Sequence, residues 1–201
     1  MKQLLLVASI AGLSLIGSAV AAGDAEAGKT KAAACAACHG PDGNSPAAMF
    51  PKIAGQHASY LEKQLQEFKS GDRKDPTMNG MAAPLTDQDM ADLAAFYASQ
   101  KGNVGKAAED KVQLGGTIYR AGNSATGVSA CAACHGPTGG GNPMAKFPGL
   151  GGQHADYTVA QLKNFRSGAR ANDAGSMMRN IAKKMTDAEI EAVAQYIQGL
   201  N

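Results

Sequence analysis

One heptapeptide occurs twice in this 201-residue chain: Cys35-Ala36-Ala37-Cys38-His39-Gly40-Pro41 and, 96 residues later, Cys131-Ala132-Ala133-Cys134-His135-Gly136-Pro137. The two copies are identical at every position, and together they hold all four cysteines of the sequence. Repetition of a whole group of reactive side chains indicates two copies of one chemical site. The flanking sequence can therefore be compared copy against copy.

A C-x-x-C-H run is typical of covalent c-type haem attachment. The two thiols, three residues apart on one helical turn, face the same side and can add to the two vinyl groups of one porphyrin. The histidine that follows comes to lie next to the iron as its proximal ligand. The sequence thus predicts two haem c groups. Their predicted attachment residues are Cys35, Cys38, Cys131 and Cys134, and the predicted proximal ligands are His39 and His135.

Other uses of a C-x-x-C pair fit this chain less well. A thioredoxin-like redox pair belongs near a βαβ pattern, and the sequence shows none. Disulfides, or one zinc site that pools thiolates or imidazoles from both copies, remain open. Neither explains why a histidine directly follows each second cysteine.

The first 21 residues have the pattern of a cleaved secretory signal peptide. Lys2 supplies a positive charge, Leu4 to Ile16 form an apolar core, and Ala19-Val20-Ala21 gives an A-x-A cleavage site. No other apolar run approaches the roughly 18 residues of a membrane-spanning helix. We therefore expect a mature protein of about 180 residues, exported to a periplasm.

Charge argues against a nucleic-acid partner, because the chain carries a formal net charge of only +2. The distribution is uneven. Residues 23–101 have eight Lys plus Arg against ten Asp plus Glu, and residues 102–201 have ten against seven. The two halves therefore differ in sign, which would orient the molecule in the field of a charged protein partner.

The repeat continues beyond the heptapeptide and predicts two all-α domains in tandem. The segment from Phe50 to His57 matches that from Phe147 to His154. Each copy goes on into two amphipathic helices, the second with a Thr N-cap and an acid three residues later. No stretch shows strand alternation. The predicted domains are residues 22–101 and 112–201, joined by a polar linker at residues 102–111.

The identity of the second axial ligand of each iron would decide between an electron carrier and an enzyme that does chemistry at the iron. Aligning the copies on the start of the second helix pairs only one methionine position, Met78 with Met178, in sequence that looks irregular. These two are predicted as sixth ligands, since methionine ligates iron in cytochromes c. His57 and His154 also repeat and would instead give bis-histidine haems.

Pro51 and Pro148 follow the two proximal histidines by 12 and 13 residues. In class I cytochromes c, a proline at about this distance offers its carbonyl to the proximal imidazole N–H. A proline that merely begins a turn is the alternative.

On these motifs the chain resembles the cytochromes c4, which are periplasmic dihaem cytochromes of the class I type. The resemblance covers both haem motifs, the Phe-Pro-x-[Ile/Leu]-x-Gly-Gln segments, both methionines and the closing Tyr196-Ile197-Gln198-Gly199-Leu200. It implies two cytochrome c-like domains facing each other, each wrapped around one covalently attached haem. It also implies outer-sphere electron transfer from the quinol-oxidising bc1 complex towards a terminal oxidase, with loose membrane association.

Two other functions remain open at this stage. The same folds could form a dihaem electron-accepting subunit of a dehydrogenase, as in a flavocytochrome. A dihaem peroxidase would need one haem with a free sixth site, and both copies offer the same methionine. We expect a non-enzymatic carrier with redox protein partners, and neither nucleic acid nor a small-molecule substrate.

Overall fold

The computed structural model describes residues 22–201, so the predicted signal peptide lies outside the described residues. The first domain contains α1 (Ala25–Lys31), α2 (Ala36–His39), α3 (Ala58–Ser70), α4 (Pro76–Ala82) and α5 (Asp87–Ala98). The second contains α6 (Glu109–Ala121), α7 (Ala132–His135), α8 (Ala155–Ser167), α9 (Met177–Ala182) and α10 (Asp187–Gln198). Short 3₁₀ turns lie at Ala32–Ala34 and Ala174–Ser176, and the described residues form no strand. The all-α prediction is confirmed.

In each domain a glycine lies where the first and last helices cross in close contact. A Cβ on Gly28 of α1 would lie 2.0 Å from the carbonyl oxygen of Asp92 on α5. In the second domain, a Cβ on Gly115 of α6 would lie 2.1 Å from the carbonyl oxygen of Ala192 on α10. Only a residue without a side chain allows two helix backbones to approach so closely. The first helix of each domain is therefore fixed against the last.

The ends of the longer helices follow the predicted signals. Thr86 and Thr186 each accept a hydrogen bond from the backbone N–H three residues later, and the carboxylate there accepts from the threonine N–H, which completes a capping box. Gly71 and Gly168 end α3 and α8 with φ values of 85° and 82°. This left-handed conformation favours glycine.

A separate apolar core fills each domain and borders its haem motif. In the first domain, Leu61, Leu93 and Phe96 pack together and contact the half-buried Cys35. In the second domain, the fully buried Ile190 and Val193 belong to the cluster that contacts Cys131 and Met178. The first cysteine of each heptapeptide thus forms part of the wall of its domain's core.

The two domains meet through reciprocal backbone hydrogen bonds made by glutamine side chains. Gln56 of the first domain donates to the carbonyl oxygen of Gly149 and accepts from its N–H, both at 2.9 Å. Gln153 of the second domain donates to Lys52 O at 2.8 Å and accepts from Lys52 N at 2.9 Å. Each contact repeats the other with the domains exchanged, so the domains face each other about an approximate twofold axis.

The segment between the domains is held by hydrogen bonds to both domains. Asn103 N–H donates to the side chain of Asn44 at 2.8 Å, and Gly105 N–H donates to Gln198 O at 3.0 Å. Helix α6 begins at Glu109, so the last three residues of the predicted linker are helical. None of the helices in residues 22–201 is long and apolar enough to cross a membrane.

Candidate haem sites

The two heptapeptides fold into matching single turns of helix, α2 and α7. His39 N–H donates to Cys35 O at 3.0 Å, and His135 N–H donates to Cys131 O at 2.9 Å. A glycine then ends each turn, and its φ near 79° would strain any other residue. The helical turn places the two cysteines of each motif on the side of the following histidine.

Each predicted proximal histidine is buried and held by a proline carbonyl. His39 Nδ1 lies 2.9 Å from Pro51 O, and His135 Nδ1 lies 3.0 Å from Pro148 O. A carbonyl oxygen only accepts, so Nδ1 carries the proton and Nε2 keeps its lone pair for a metal. Burial lowers the pKa of both imidazoles, although the proline hydrogen bond acts in the opposite direction. The carbonyl contact predicted from the spacing is present in both domains.

The four cysteines of the two motifs are free thiols. Burial raises the pKa of Cys35 and raises that of Cys131 to about 11. The two pairs lie in different domains, and residues 22–201 contain no group of three or more His, Cys, Asp or Glu side chains that could hold a metal ion. Within residues 22–201 the geometry therefore brings together neither a disulfide nor the pooled zinc site weighed from sequence.

Met78 and Met178 occupy matching places, but not in irregular structure as expected. Met78 lies in the first turn of α4, where Asp75 caps the helix by accepting from Met78 N–H at 3.0 Å. Met178 lies at the second position of α9. These helices have only seven and six residues, too few to show a periodic pattern in the sequence. Both methionine side chains are half-buried.

The residue after each methionine anchors its helix to the rest of the domain. Asn79 donates to Phe68 O at 2.6 Å and to Arg73 O at 2.9 Å, which joins α4 to the end of α3. Arg179 forms an ion pair with Asp173 at 2.7 Å, and the exposed fraction of that carboxylate side chain is only 5%. Different side chains thus hold the two methionine helices in place.

Of the other methionines in the described residues, two are buried in the cores and four are exposed at the surface. Met90 and Met185 are buried in the helical cores, with exposed fractions of 1% and 4%. Met49 and Met144, in the loops before Phe50 and Phe147, are 72% and 92% exposed. Met81 and Met177 are also exposed.

His57 and His154 lie at the domain interface. The Nε2 atom of His57 is 2.7 Å from Gly140 O, and that of His154 is 2.9 Å from Ser45 O, each in the opposite domain. Because a carbonyl only accepts, each Nε2 carries a proton and has no lone pair for iron. The bis-histidine alternative is therefore not supported by the geometry.

Sequence reasoning missed a buried polar cluster between the domains. Arg73 donates to Tyr157 OH at 2.9 Å, and Arg170 donates to Tyr60 OH at 3.0 Å. Each guanidinium also donates to a glutamine of its own domain, at 2.7 Å and 2.8 Å. We call this set the interdomain cluster; its members are Tyr60, Gln64, Arg73, Tyr157, Gln161 and Arg170.

The interdomain cluster carries positive charge in a buried place. The exposed fractions of Arg73 and Arg170 are 8% and 9%, and their hydrogen-bond acceptors named above are neutral. Burial alone would raise the pKa of Tyr60, but the guanidinium groups of Arg170 and Arg73 outweigh burial and lower it. All six members match at an offset of 97 residues, which is the signal that would have identified them.

The donor set in each domain fits haem c. Two thiols share one turn with a buried neutral imidazole whose Nε2 is free, and in the first domain the buried hydroxyl of Tyr97 lies beside Cys35. A porphyrin with two vinyl groups and an iron matches the thiols and the imidazole. When bound, haem c supplies an iron that cycles between the ferric and ferrous states. These features define a c-type haem protein with two sites.

Comparison with known proteins also indicates a c-type haem protein and identifies the family within that class. The family model for cytochrome c matches residues 25–101 and 112–201. Cytochrome c4 from Stutzerimonas stutzeri is 50% identical over 206 residues, which cover 98% of each chain. A crystal structure of reduced recombinant cytochrome c4 from Pseudomonas stutzeri is 51% identical, with a TM-score of 0.87 over 90% of this chain and 100% of that one. A thiosulfate dehydrogenase electron acceptor from Stutzerimonas stutzeri (strain A1501) is 42% identical over 170 residues, covering 82% of this chain and 78% of that protein.

The chain belongs to the cytochrome c family and, within it, to the cytochromes c4. It is a dihaem c-type electron carrier with two tandem cytochrome c folds, and it is not an enzyme. The predictions of fold class, cofactor and electron-carrier function are confirmed, and the peroxidase alternative is not retained.

Proposed function

We propose that this protein carries electrons in the periplasm from the quinol-oxidising bc1 complex towards a terminal oxidase. In this proposal, Cys35 and Cys38 hold one haem, and Cys131 and Cys134 hold the other. His39 and Met78 are the axial ligands of the first iron. Residues 22–101 and 112–201 form the two domains, and the polar segment 102–111, whose last three residues begin α6, joins them.

The proposal is supported by the similar surroundings of the histidine and the methionine in the two domains. Each proximal histidine donates from Nδ1 to a proline carbonyl, and in each domain one half-buried methionine lies at the start of a short anchored helix. His135 and Met178 therefore form the second axial pair. With two protein ligands, neither iron offers an open position for a substrate, which suits outer-sphere transfer.

The protein partners are inferred from charge and from the relatives. The two halves carry formal balances of −2 and +3 before the haem propionates are added. Opposite charge on the two domains suits docking of a different partner at each end. Loose association with the membrane would bring the carrier close to membrane-bound partners.

The ligands are tested with the ferric spectrum of the holoprotein. His/Met haems of the cytochrome c family show a weak far-red charge-transfer band in the ferric state. Met78→Ala and Met178→Ala should each remove about half of this band, because each variant changes one of two similar sites. Met81→Ala, which changes an exposed methionine on the same helix as Met78, is the control and should leave the band intact. Retention of the full band in Met78→Ala would contradict the ligand proposal.

The partners are tested separately by kinetics. Purified carrier is mixed with the reduced bc1 complex or with the oxidase, and its reduction or oxidation is followed at low and high salt. Fast exchange that slows with salt is the expected result, because the proposed docking is electrostatic. Failure to exchange electrons with either complex would refute the assignment of partners.

A dehydrogenase is the second candidate partner, and one observation favours it. The relative named thiosulfate dehydrogenase electron acceptor is 42% identical over most of this chain. Reduction of the carrier by a thiosulfate dehydrogenase plus thiosulfate, faster than by the bc1 complex, would support this second function.

A further inference from the structure

Each of the two methionine helices, α4 and α9, is held by a residue that lies at the domain interface. In the first domain, the side chain of Asn79 on α4 donates to Arg73 O at 2.9 Å. In the second, Arg179 on α9 donates to the carboxylate of Asp173, from its backbone N–H at 3.0 Å and from Nε at 2.7 Å. The place of α4 therefore depends on Arg73, and that of α9 depends on Asp173.

Arg73 is itself held by the second domain. Besides its bond to Gln64, its guanidinium donates to Tyr157 OH at 2.9 Å and to Gln161 Oε1 at 3.2 Å, and both of these residues belong to α8. Arg73 is buried, so water cannot take the place of an acceptor that is lost. Helix α8 of the second domain thus fixes the residue that fixes α4.

Asp173 is held by the first domain through its neighbour in the chain. The side chain of Asn172 donates to the Glu67 carboxylate at 2.7 Å and to Gln64 Oε1 at 3.0 Å. The backbone carbonyl of Asn172 accepts a hydrogen bond from Lys63 Nζ at 3.0 Å. All three partners belong to α3 of the first domain. Helix α3 thus fixes the segment that fixes α9.

The two arrangements are not copies of one another. At the offset of 97 residues, Lys63 and Glu67 match Ala160 and Asn164, and Asn172 matches Asp75. The bonds from α3 to Asn172 therefore have no counterpart from α8 to the first domain. Different side chains produce the same result in both directions, so the result does not follow from repetition of the sequence alone.

We propose that each domain completes the haem site of the other. Helix α8 fixes the methionine helix of the first domain through Arg73, and α3 fixes that of the second domain through Asn172. Movement of a methionine helix carries its methionine away from the iron, so docking of the domains keeps both irons closed by their sixth ligand. This last step rests on the proposed ligands Met78 and Met178.

Tyr157 and Lys63 are positioning residues in this proposal. Each acts on the site of the opposite domain through a helix that it does not contact. Contiguous hydrogen bonds by themselves do not establish energetic coupling, so the coupling must be measured across the interface.

The first test measures amide hydrogen exchange of α4 and α9 in the full-length holoprotein. Tyr157→Phe removes the hydroxyl that binds Arg73 and should speed the exchange of α4 about tenfold, as for the loss of one hydrogen bond to a charged group. Lys63→Met removes the ammonium group that binds Asn172 and should speed the exchange of α9 to a similar extent. In each variant, the methionine helix of the substituted domain should change less.

Ser59→Ala is the matched control. It also removes one interdomain hydrogen bond, from Ser59 Oγ to Pro143 O at 2.8 Å, but this bond contacts neither Arg73 nor Asn172. Exchange in both helices should stay within about twofold of the unaltered protein. An unchanged rate for α4 in Tyr157→Phe, or for α9 in Lys63→Met, would overturn the proposal. An equal rise in the control would also overturn it, because any loss at the interface would then have the same effect.

The consequence at the iron is measured with added imidazole, which binds ferric haem after the methionine has left. NMR distinguishes the two sites. Tyr157→Phe should speed imidazole binding at the first site and Lys63→Met at the second, each about tenfold. Faster binding only in the substituted domain would overturn the proposal. If Met78→Ala and Met178→Ala retain the far-red band, the ligand assignment fails, and hydrogen exchange still decides whether each domain anchors the other's helix.

The unaltered holoprotein gives the answer if either variant fails to bind haem. The amides of Lys52 and Gly149 donate across the interface to glutamine side chains, so their exchange reports separation of the domains. Helices that the opposite domain anchors should open whenever the domains separate. Equal protection of α4, α9 and these two amides, after correction for intrinsic rates, is the expected result. Greater protection of either helix than of the two amides would overturn the proposal.

Discussion

The glycine crossing of α1 and α5 predicts a large and local loss of stability in Gly28→Ala. The new Cβ would lie 2.0 Å from Asp92 O, 2.6 Å from Asp92 C and 2.8 Å from Phe96 Cβ. Ordinary contact begins at 3.4 Å. Helix α1 must therefore retreat by about 1.4 Å in a close-packed interior. Backbone atoms form the obstacle, so no flexible side chain can move aside.

The expected cost is about 3 kcal/mol, the upper part of the range for overpacking a core. For a domain of this size, each 1 kcal/mol lowers the melting temperature by about 4–8 °C, so a fall of about 12–24 °C is expected in the first domain. Thermal unfolding of the holoprotein, followed by circular dichroism and by the far-red band, measures the change. The first domain should unfold before the second and lose its half of the band.

Two further glycines provide the controls. Gly80→Ala on α4 has nothing within 4 Å of the new Cβ, and it should gain up to about 1 kcal/mol from helix propensity. Gly115→Ala, with Ala192 O at 2.1 Å, should reproduce the loss in the second domain. Equal stability of Gly28→Ala and Gly80→Ala would refute the argument, because it would mean that α1 can move without loss of packing.

Two other predictions concern charged groups. Arg170→Met should weaken the docking of the domains by about 3 kcal/mol, since it removes charged hydrogen bonds and leaves the Tyr60 hydroxyl short of a donor. Arg166 of the same domain is half-buried and pairs with the exposed Asp187, so Arg166→Met should change docking by less than about 1 kcal/mol. Faster proteolysis within residues 102–108 in Arg170→Met alone measures the effect, and equal cleavage of both variants would contradict it. The pKa of Asp92 is lowered to about 2, first by the hydrogen bond from the Asp24 backbone N–H and then by Lys31. In the unfolded chain the pKa of an aspartate is about 4. The Asp92 carboxylate therefore stabilises the fold above about pH 4, and this contribution is lost as the pH falls towards about 2. Asp92→Asn should flatten the fall in stability over that window, and an unchanged acid-unfolding curve would exclude the role of Asp92.

Much of each site followed from local sequence. The C-x-x-C-H spacing predicted the attachment turn, and the proline spacing predicted the carbonyl at His39 Nδ1. Capping signals predicted the starts of α5 and α10. These features depend on neighbouring residues along the chain, so the repeat was enough to identify them.

Other features could not be identified by aligning the two copies on their cysteines. The crossing glycines lie 7 and 16 residues before the first cysteine of their motifs, because the second domain has a longer loop there. An alignment on the cysteines therefore separates Gly28 from Gly115. The interdomain cluster does repeat, at an offset of 97, but its function depends on how two domains face each other. No pattern within either copy specifies that arrangement.

The exchange symmetry of the domain interface has a consequence for the isolated halves. Reciprocal contacts such as Gln56 with Gly149 and Gln153 with Lys52 are those of an isologous surface, in which one patch complements itself. A chain that contained one half alone would therefore present the surface of a homodimer. Residues 102–108 then act as a tether that turns a concentration-dependent association into a permanent one, at an effective concentration of the order of millimolar. The two haem sites remain paired at any dilution.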